Sequence, residues 1–140
     1  MVIAALDFGR KWVGIAVSGA DGVGAYPVST LRRHSLARDL EAISTLLKQY
    51  EVSRTVVGLP LNMDGTMGPQ AAAAEVFARQ LREVTGLEVD LFDERLTSFE
   101  AEERLKALAS RKKRKEHTID AVAACVILEG WQQSRTQRQP

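Results

Sequence analysis

The sequence predicts a single α/β domain with a mixed five-stranded sheet, and three features of the pattern lead to this fold class. Three short apolar runs near the N-terminus are joined by glycine-containing connections, which favours antiparallel hairpins. Helical periodicity then alternates with two further strand patterns, which favours helix-linked strands in the same sheet. At 140 residues, the chain is long enough to bury one substantial core.

The first half of the chain is predicted to form four strands and one helix. The strands cover Val2–Leu6, Trp12–Val17, Tyr26–Leu31 and Thr55–Leu59. Between the third and fourth strands, apolar residues recur at three- and four-residue steps from Leu36 to Tyr50, which indicates a helix. Ser35 precedes this helix and suits its N-cap. Pro60 ends the fourth strand, and a polar, glycine-rich loop follows.

The second half of the chain is predicted to be mainly helical. Its elements are a helix from Pro69 to about Thr85 with Gly86 as its stop, a strand over Leu87–Phe92, a helix capped by Thr97 and Glu100, and a final helix capped by Thr118 and running to about Gln132. We expect the domain to cover residues 1–133 and the polar tail Ser134–Pro140 to be disordered. The resulting order of elements is that of the ribonuclease H-like fold.

Composition and charge exclude several classes of protein. The net charge is +1, and no apolar stretch approaches the roughly 20 residues that a membrane-spanning helix needs. The N-terminus lacks the pattern of a secretory signal. One cysteine, Cys125, excludes an intrachain disulfide and is expected in the core, and two histidines are too few for a typical zinc site. We therefore expect a cytoplasmic protein.

Three acidic residues stand where the predicted elements begin or end. Asp7 follows the apolar run of the first strand, Glu94 follows that of the fifth, and Asp120 opens a strongly apolar helical segment. Such residues can converge at one edge of a sheet. Two carboxylates about 5 Å apart repel by roughly 3 kcal/mol at an effective dielectric of about 20. A hard cation with oxygen ligands, Mg²⁺ or Mn²⁺, removes that conflict and supports phosphodiester hydrolysis, so we predict a catalytic metal site.

Basic and hydroxyl side chains near these acids are candidates for binding a nucleic-acid backbone. The candidates are Arg10 and Lys11 after the first strand, Arg95, Thr97 and Ser98 after Glu94, and Lys112, Lys113, Arg114 and Lys115 in a run of five basic residues before Asp120. The loop from Leu61 to Gly68 could close over a substrate. His117 could assist proton transfer, although a loop histidine without such a role is the simpler interpretation.

Four strings of the sequence resemble the motifs of one family. They are DFGRKWVGIAVS (Asp7 to Ser18), VGLPLNMDGTMGPQA (Val57 to Ala71), DERLTS (Asp93 to Ser98), and the basic run followed by DAVAA (Asp120 to Ala124). Together they resemble the YqgF (RuvX) family of ribonuclease H-like nucleases over nearly the whole chain. Family members usually carry a basic residue and isoleucine where this chain has Trp12 and Val13. The resemblance implies a nuclease that processes the 5′ end of the small-subunit (16S) ribosomal RNA precursor, related to Holliday junction resolvases.

Other functions stay open on the sequence. A Holliday junction resolvase, acting on branched DNA in recombination and repair, would need two active sites and hence a homodimer, for which Trp131 is a candidate apolar contact. A non-catalytic nucleic-acid-binding factor would use the basic run alone, which three intact acids argue against. Asp7-Phe8-Gly9 before a second strand also resembles the phosphate loop of actin-like phosphotransferases, which use two such domains. We rank processing of precursor ribosomal RNA first, because the resemblance favours it.

Overall fold

The structure is a computed structural model, which describes residues 1–97 and 118–138 together with Glu103 and Ala107. The strands are β1 (Val2–Phe8), β2 (Trp12–Val17), β3 (Tyr26–Arg32), β4 (Val52–Leu59) and β5 (Glu88–Asp93). The helices are α1 (Leu36–Gln49), α2 (Pro69–Thr85) and α3 (Thr118–Arg138), and a 3-10 turn covers Glu94–Leu96. Within these described ranges, no helix has the length and apolar character needed to cross a membrane.

The five strands form one mixed sheet in the order β3-β2-β1-β4-β5, which confirms the predicted fold class. β1 pairs antiparallel with β2, and β2 pairs antiparallel with β3, as the short connections predicted. β4 lies parallel to both β1 and β5. Because these three strands run in the same direction, they end at the same edge of the sheet, at Phe8, Leu59 and Asp93. We call this the carboxyl edge.

Both faces of the sheet are covered by helices, which explains the nearly unbroken apolar run of β1. Helices α1 and α2 cover one face, where Phe77 stacks on Phe8 with ring centroids 4.2 Å apart. Helix α3 covers the other face, where Ile127 packs in a cluster with Ile3. Because successive side chains of a strand point to opposite faces, the position of Ile3 also assigns Asp7 to the α3 face.

Local signals set several element ends as the sequence predicted. Ser35 caps α1, since its side chain accepts a hydrogen bond from the backbone N–H of Arg38 at 3.2 Å. Helix α2 begins at Pro69. It ends at Gly86, which adopts the left-handed conformation with φ of 72°.

Strand β1 is longer than the sequence predicted. It continues past Leu6 to Phe8, because the Phe8 side chain is buried and its backbone pairs with Val13 of β2. As a result, Asp7 lies inside the strand rather than after it, and its direction is fixed by the sheet. The helix predicted to follow Thr97 lies outside the described residues except for Glu103 and Ala107, and so does its cap partner, Glu100.

Helix α3 also differs from its predicted bounds. It begins at Thr118 and runs to Arg138, so it does not end near Gln132 as predicted. Residues 134–138, which were expected in a disordered tail, continue the helix past residue 133. The extension has a packing contact, because the guanidinium of Arg135 lies over the ring of Trp131, 4.7 Å from its centroid. A sequence pattern of polar residues alone does not reveal such a contact.

Cys125 and Trp131 are residues of α3 whose side chains are buried in the core. Burial, and secondarily Glu129, raises the pKa of Cys125 to about 12, so the side chain stays a thiol. Trp131 is only 8% exposed, and its indole N–H donates to a carboxylate oxygen of Asp90 at 3.1 Å. The suggestion that Trp131 offers an apolar contact to a second subunit was therefore wrong, since its ring is used inside the fold.

Candidate active site

Of the three predicted acids, Asp7 is the one that lies within a strand of the sheet. It is half-buried on β1, the central strand, and faces α3. Burial, and to a lesser extent the charge of Asp120, raises the pKa of its carboxyl group to about 6. The carboxylates of Asp7 and Asp120 are therefore close enough to repel each other.

A glycine brings Asp120 to this position. Gly14 of β2 is the register partner of Asp7, and the first turn of α3 lies directly against it. A Cβ atom added at Gly14 would lie 1.9 Å from the carbonyl oxygen of Asp120 and 2.9 Å from the backbone nitrogen of Ala121. Only glycine permits this approach, because any side chain would collide with the backbone of the helix.

A second glycine makes room for Glu94. The 3-10 turn after β5 contains Glu94, and its carboxylate lies over Gly58 of β4. A Cβ atom added at Gly58 would lie 2.7 Å from Glu94 Oε2. Gly58 directly follows Val57, which pairs with Leu6, so Gly58 is level with Asp7 on the neighbouring strand. The three predicted acids thus lie at the carboxyl edge, on β1, after β5 and at the start of α3.

The donor set of this edge fits a hard divalent cation. The carboxylates of Asp7, Glu94 and Asp120 offer oxygen ligands only. Burial and, secondarily, the charge of Asp120 raise the pKa of Asp7, and a bound cation would offset both effects by stabilising the ionised carboxylate. Among residues 1–97 and 118–138, no three or more acidic, histidine or cysteine side chains are grouped closely enough to hold a metal ion by themselves. Mg²⁺ is commonly held by one or two carboxylates together with waters and substrate phosphates, so such a group is not required.

Two side chains that the sequence analysis did not single out fix the backbone next to Asp7. Gln70, in the first turn of α2, donates a hydrogen bond to the carbonyl of Phe8 at 2.7 Å. Arg33 donates to the carbonyl of Gly9 at 3.2 Å, and its guanidinium lies 4.2 Å from the centroid of the Phe8 ring. These contacts join residues far apart in the chain, so no local motif signals them.

Arg33 is itself held in place by a buried acid. Its Nε lies 3.0 Å from Oδ2 of Asp39, which is 5% exposed in α1. The other oxygen of Asp39 accepts from the backbone N–H of His34 at 2.8 Å. The turn after β1 is thus braced from α1 and from α2, while Arg10 and Lys11 at its tip are exposed, as a role in binding phosphate would require.

Arg95 has protein partners in this structure. Its guanidinium pairs with Asp93 at 2.7 Å and donates to the carbonyl of Met63 at 3.2 Å. The hydrogen bonds from Arg95 hold the pKa of Asp93 below its usual range. Arg95 therefore ties the loop after β4 to the end of β5. Thr97 donates its hydroxyl to the carbonyl of Glu94 at 2.9 Å, which stabilises the 3-10 turn.

The loop from residue 61 to residue 68 has its own internal order. The carboxylate of Asp64 accepts from the hydroxyl of Thr66 at 2.6 Å and from its backbone N–H at 3.0 Å, and Asn62 donates to the same hydroxyl at 2.9 Å. With Arg95 as a tether, the loop lies beside the carboxyl edge. Closure over a substrate stays a prediction.

Several predicted site residues lie outside the described part of the chain. They are Ser98, Lys112, Lys113, Arg114, Lys115 and His117. Their roles in binding nucleic acid or in proton transfer remain predictions from the sequence.

Known structures share this architecture. The chain aligns with the structure titled "T. thermophilus RuvC in complex with Holliday junction substrate" over 97% of both chains, with a TM-score of 0.65 and 14% sequence identity. It also aligns with the Holliday junction resolvase of fowlpox virus over 96% of this chain and 99% of that one, with a TM-score of 0.58 and 12% identity. At such low identity, the likeness establishes the fold, which is the ribonuclease H-like fold of RuvC-type resolvases.

Sequence relatives identify the family. The family model described as "RuvX: Holliday junction resolvase" matches residues 1–134. A protein of Anaeromyxobacter sp. (strain K) is 49% identical over 126 residues, which cover 90% of this chain and 92% of the relative. A protein of Moorella thermoacetica is 45% identical over 131 residues, 94% of each chain. Both carry the name "Putative pre-16S rRNA nuclease". The chain belongs to the RuvX family, as the motifs predicted, and is a nuclease.

Proposed function

We propose that this chain is a divalent-metal-dependent endonuclease that processes the 5′ end of the small-subunit (16S) ribosomal RNA precursor in the cytoplasm. The observation that carries the proposal is the half-buried carboxylate of Asp7 with a raised pKa beside Asp120, at the edge where Glu94 also lies. An acid pair of this kind costs stability unless a cation is bound there. The names of relatives at 45 to 49% identity support the choice of substrate.

In this proposal, Asp7, Glu94 and Asp120 hold Mg²⁺ or Mn²⁺ and are the catalytic residues. A bound ion of this type supplies an activated water and neutralises the charge that develops on the phosphate. Asp7 anchors the site because β1 fixes its direction, and Gln70 and Arg33 keep the following carbonyls from shifting. Glu94 and Asp120 complete the set from the two sides of β1.

The substrate backbone is held by cations around this edge. Arg10 and Lys11 are exposed at the tip of the turn after β1 and are suited to phosphate oxygens. The run Lys112, Lys113, Arg114 and Lys115 ends five positions before Asp120 in the sequence and adds sequence-independent affinity. Arg95, Thr97 and Ser98 would contact phosphate next to Glu94, and for Arg95 this means exchanging its contact with Met63.

Holliday junction resolution is the second candidate. The description of the matching family model and the likeness to RuvC favour it. Paired cuts in a four-way junction require two active sites, hence a homodimer with two-fold symmetry. The ranking below ribosomal RNA rests on the names of the sequence relatives, which resemble this chain far more closely than RuvC does.

One experiment separates the two functions and tests the metal. Purified protein is incubated with labelled precursor ribosomal RNA and with four-way DNA junctions, with Mg²⁺, with Mn²⁺ or in excess EDTA, while light scattering records its oligomeric state. We expect the protein to cut the precursor RNA at an internal position. EDTA should abolish this cleavage, and either Mg²⁺ or Mn²⁺ should restore it. Full activity in saturating EDTA would reject the metal site. A stable dimer that makes paired cuts in junctions and leaves the RNA intact would reverse the ranking.

A further inference from the structure

Beside the acids, the carboxyl edge carries an arginine whose guanidinium lies over the ring of a tryptophan. Trp12 begins β2 and Arg32 ends β3, and the two residues are register partners. The Cζ atom of Arg32 lies 5.3 Å from the centroid of the Trp12 ring, within the distance of a cation–π interaction. Trp12 is half-buried, whereas Arg32 is exposed. The ring therefore supports the guanidinium from the protein side and leaves the cation at the surface.

The pair lies on the same face of the sheet as the acids. Gly14, the register partner of Asp7, is separated from Trp12 by one residue, so both β2 positions point toward the α3 side. Arg32 faces the same side, because register partners on adjacent strands do so. Two strand spacings and two residue steps place its Cα about 12 Å from that of Asp7. A nucleic-acid strand cut at the acids can reach this distance with its next phosphates.

The chemistry of a guanidinium held over an aromatic ring fits a phosphate. A cation–π contact uses none of the N–H donors, which stay available in a fork that matches two phosphate oxygens. A lysine lacks this fork. Since Trp12 restricts the side chain before binding, less conformational freedom is lost when the phosphate is bound. The exposed cations Arg10 and Lys11 lie in the adjacent turn and extend the positive surface.

We propose that Arg32, supported by Trp12, is a binding subsite for a backbone phosphate that neighbours the cleaved one. The proposal rests on the proposed nuclease function, because cleavage at the acids determines which phosphates of the strand lie near Arg32. It deepens that function by assigning one contact with the substrate. The ligand is the phosphodiester itself, so the subsite should serve single-stranded RNA and single-stranded DNA alike. Trp12 acts as a positioning residue for Arg32.

The test measures binding, without cleavage, in an Asp7→Asn background of the full chain. The probes are short fluorescein-labelled single-stranded RNA and DNA of the same sequence, titrated over a range of salt concentrations. Arg32→Gln should weaken binding of both probes roughly tenfold. The slope of log K against log salt should fall by about 0.7, the value for one phosphate contact on a single strand.

The neighbouring variants separate charge from geometry. Arg32→Lys keeps the charge, so the slope should stay while affinity falls. Trp12→Leu should lower affinity about threefold with the slope unchanged. Combining Trp12→Leu with Arg32→Gln should cost less than the product of the two separate losses, because the ring acts through the guanidinium. Thermal melting checks that the Trp12→Leu protein is folded. If it is not, Arg32→Lys still tests the geometry of the guanidinium without altering the tryptophan.

The chain offers a matched control. Arg135 lies over Trp131 in the same way, 4.7 Å from the ring centroid, near the far end of α3. Arg135→Gln removes the same charge from the same kind of pair and should leave affinity and slope unchanged. An unchanged slope in Arg32→Gln, an equal loss in Arg135→Gln, independent effects of Trp12 and Arg32, or a loss confined to RNA would each overturn the proposal.

The outcome is separable from the nuclease function. If the Asp7→Asn protein still cleaves precursor RNA at the wild-type rate, the acid assignment fails, while the salt slope of Arg32→Gln still reports on the subsite. If Asp7→Asn abolishes cleavage and Arg32→Gln binds like its parent, the active site stands and the phosphate subsite is rejected.

Discussion

Helix α3 covers two half-buried acids on the same face of the sheet, and they have opposite surroundings. Asp90 accepts a hydrogen bond from Arg54 at 2.8 Å and one from the indole of Trp131 at 3.1 Å. Asp7 instead faces Asp120, and its pKa is raised to about 6. The charge of Asp90 is thus offset by hydrogen-bond donors, whereas the fold places Asp7 next to a second acid at the carboxyl edge. An acid whose pKa is raised by burial and by a second acid is typical of functional sites.

The largest expected difference between the two acids is in cleavage. Asp7→Asn should reduce metal-dependent cleavage of precursor RNA by roughly two orders of magnitude or more, because one ligand charge is lost from the proposed metal site. Asp90→Asn is the control and should cleave at close to the wild-type rate when folded. Gel assays under single-turnover conditions measure both rates. Equal effects of the two substitutions would remove the functional distinction between the acids.

The next effect concerns the glycine that brings α3 to β2. Gly14→Ala should destabilise the protein by about 3 kcal/mol or more, since the new Cβ collides with backbone that cannot rotate away. Gly86→Ala is the comparison, because it adds strain at a φ of 72° but has no atom within 4 Å, and it should cost about 1–2 kcal/mol. Urea unfolding gives both values. A smaller cost at Gly14 than at Gly86 would contradict the tight approach of Asp120.

The third prediction uses the pKa of Asp7 in the metal-free protein. Its folded-state pKa of about 6 lies above the ordinary 3.8, so the protonated acid is favoured by folding, and stability is lost as pH rises between these values. Asn mimics the protonated acid. In EDTA at about pH 8, Asp7→Asn should therefore be more stable than the wild type by about 2–3 kcal/mol. Below about pH 3.8 the difference should close, and urea unfolding at several pH values tests this. A variant less stable than the wild type at high pH would refute the raised pKa.

The smallest effect concerns the brace of the turn after β1. Gln70→Leu removes the donor to the Phe8 carbonyl and should lower kcat about five- to tenfold, the equivalent of one hydrogen bond. KM should change little, because Gln70 contacts backbone and not substrate. Gln80→Leu on the same helix, in the groove between α1 and α2, should leave kcat unchanged. A change in KM alone would assign Gln70 to substrate binding instead.

Most of the fold could be predicted because its signals are local. Ser35, Pro69 and Gly86 set helix ends through their own backbone preferences, and the glycine-containing connections set the antiparallel pairing of the first three strands. The end of β1 was misplaced because it depends on Phe77, which stacks on Phe8 from a helix far along the chain. The end of α3 was misplaced for a different reason: its last residues are polar, and the contact of Arg135 with the ring of Trp131 one turn earlier favours the extra turn.

The candidate site was predictable only in part. Asp7 near the end of β1 and Glu94 after β5 reach one edge because the strands are parallel, whereas Asp120 reaches it through the packing of α3 on Gly14. Arg33 and Gln70 carry no such signal, because they act on carbonyls whose position only the fold determines. For Arg95, residue type alone indicates a phosphate ligand, whereas the structure gives it Asp93 and Met63 as partners.

The sequence by itself determined the order of the described elements and the family, and it singled out three acids as candidates, since these inferences depend on residue types at short spacing. Tertiary structure alone decided how close the acids are, which of them is desolvated and which side chains hold them. The physical reason is that burial, charge repulsion and backbone contact depend on distances through space. Gly14 illustrates both levels: the sequence shows a small residue in a strand, and only the packed helix explains why nothing larger fits.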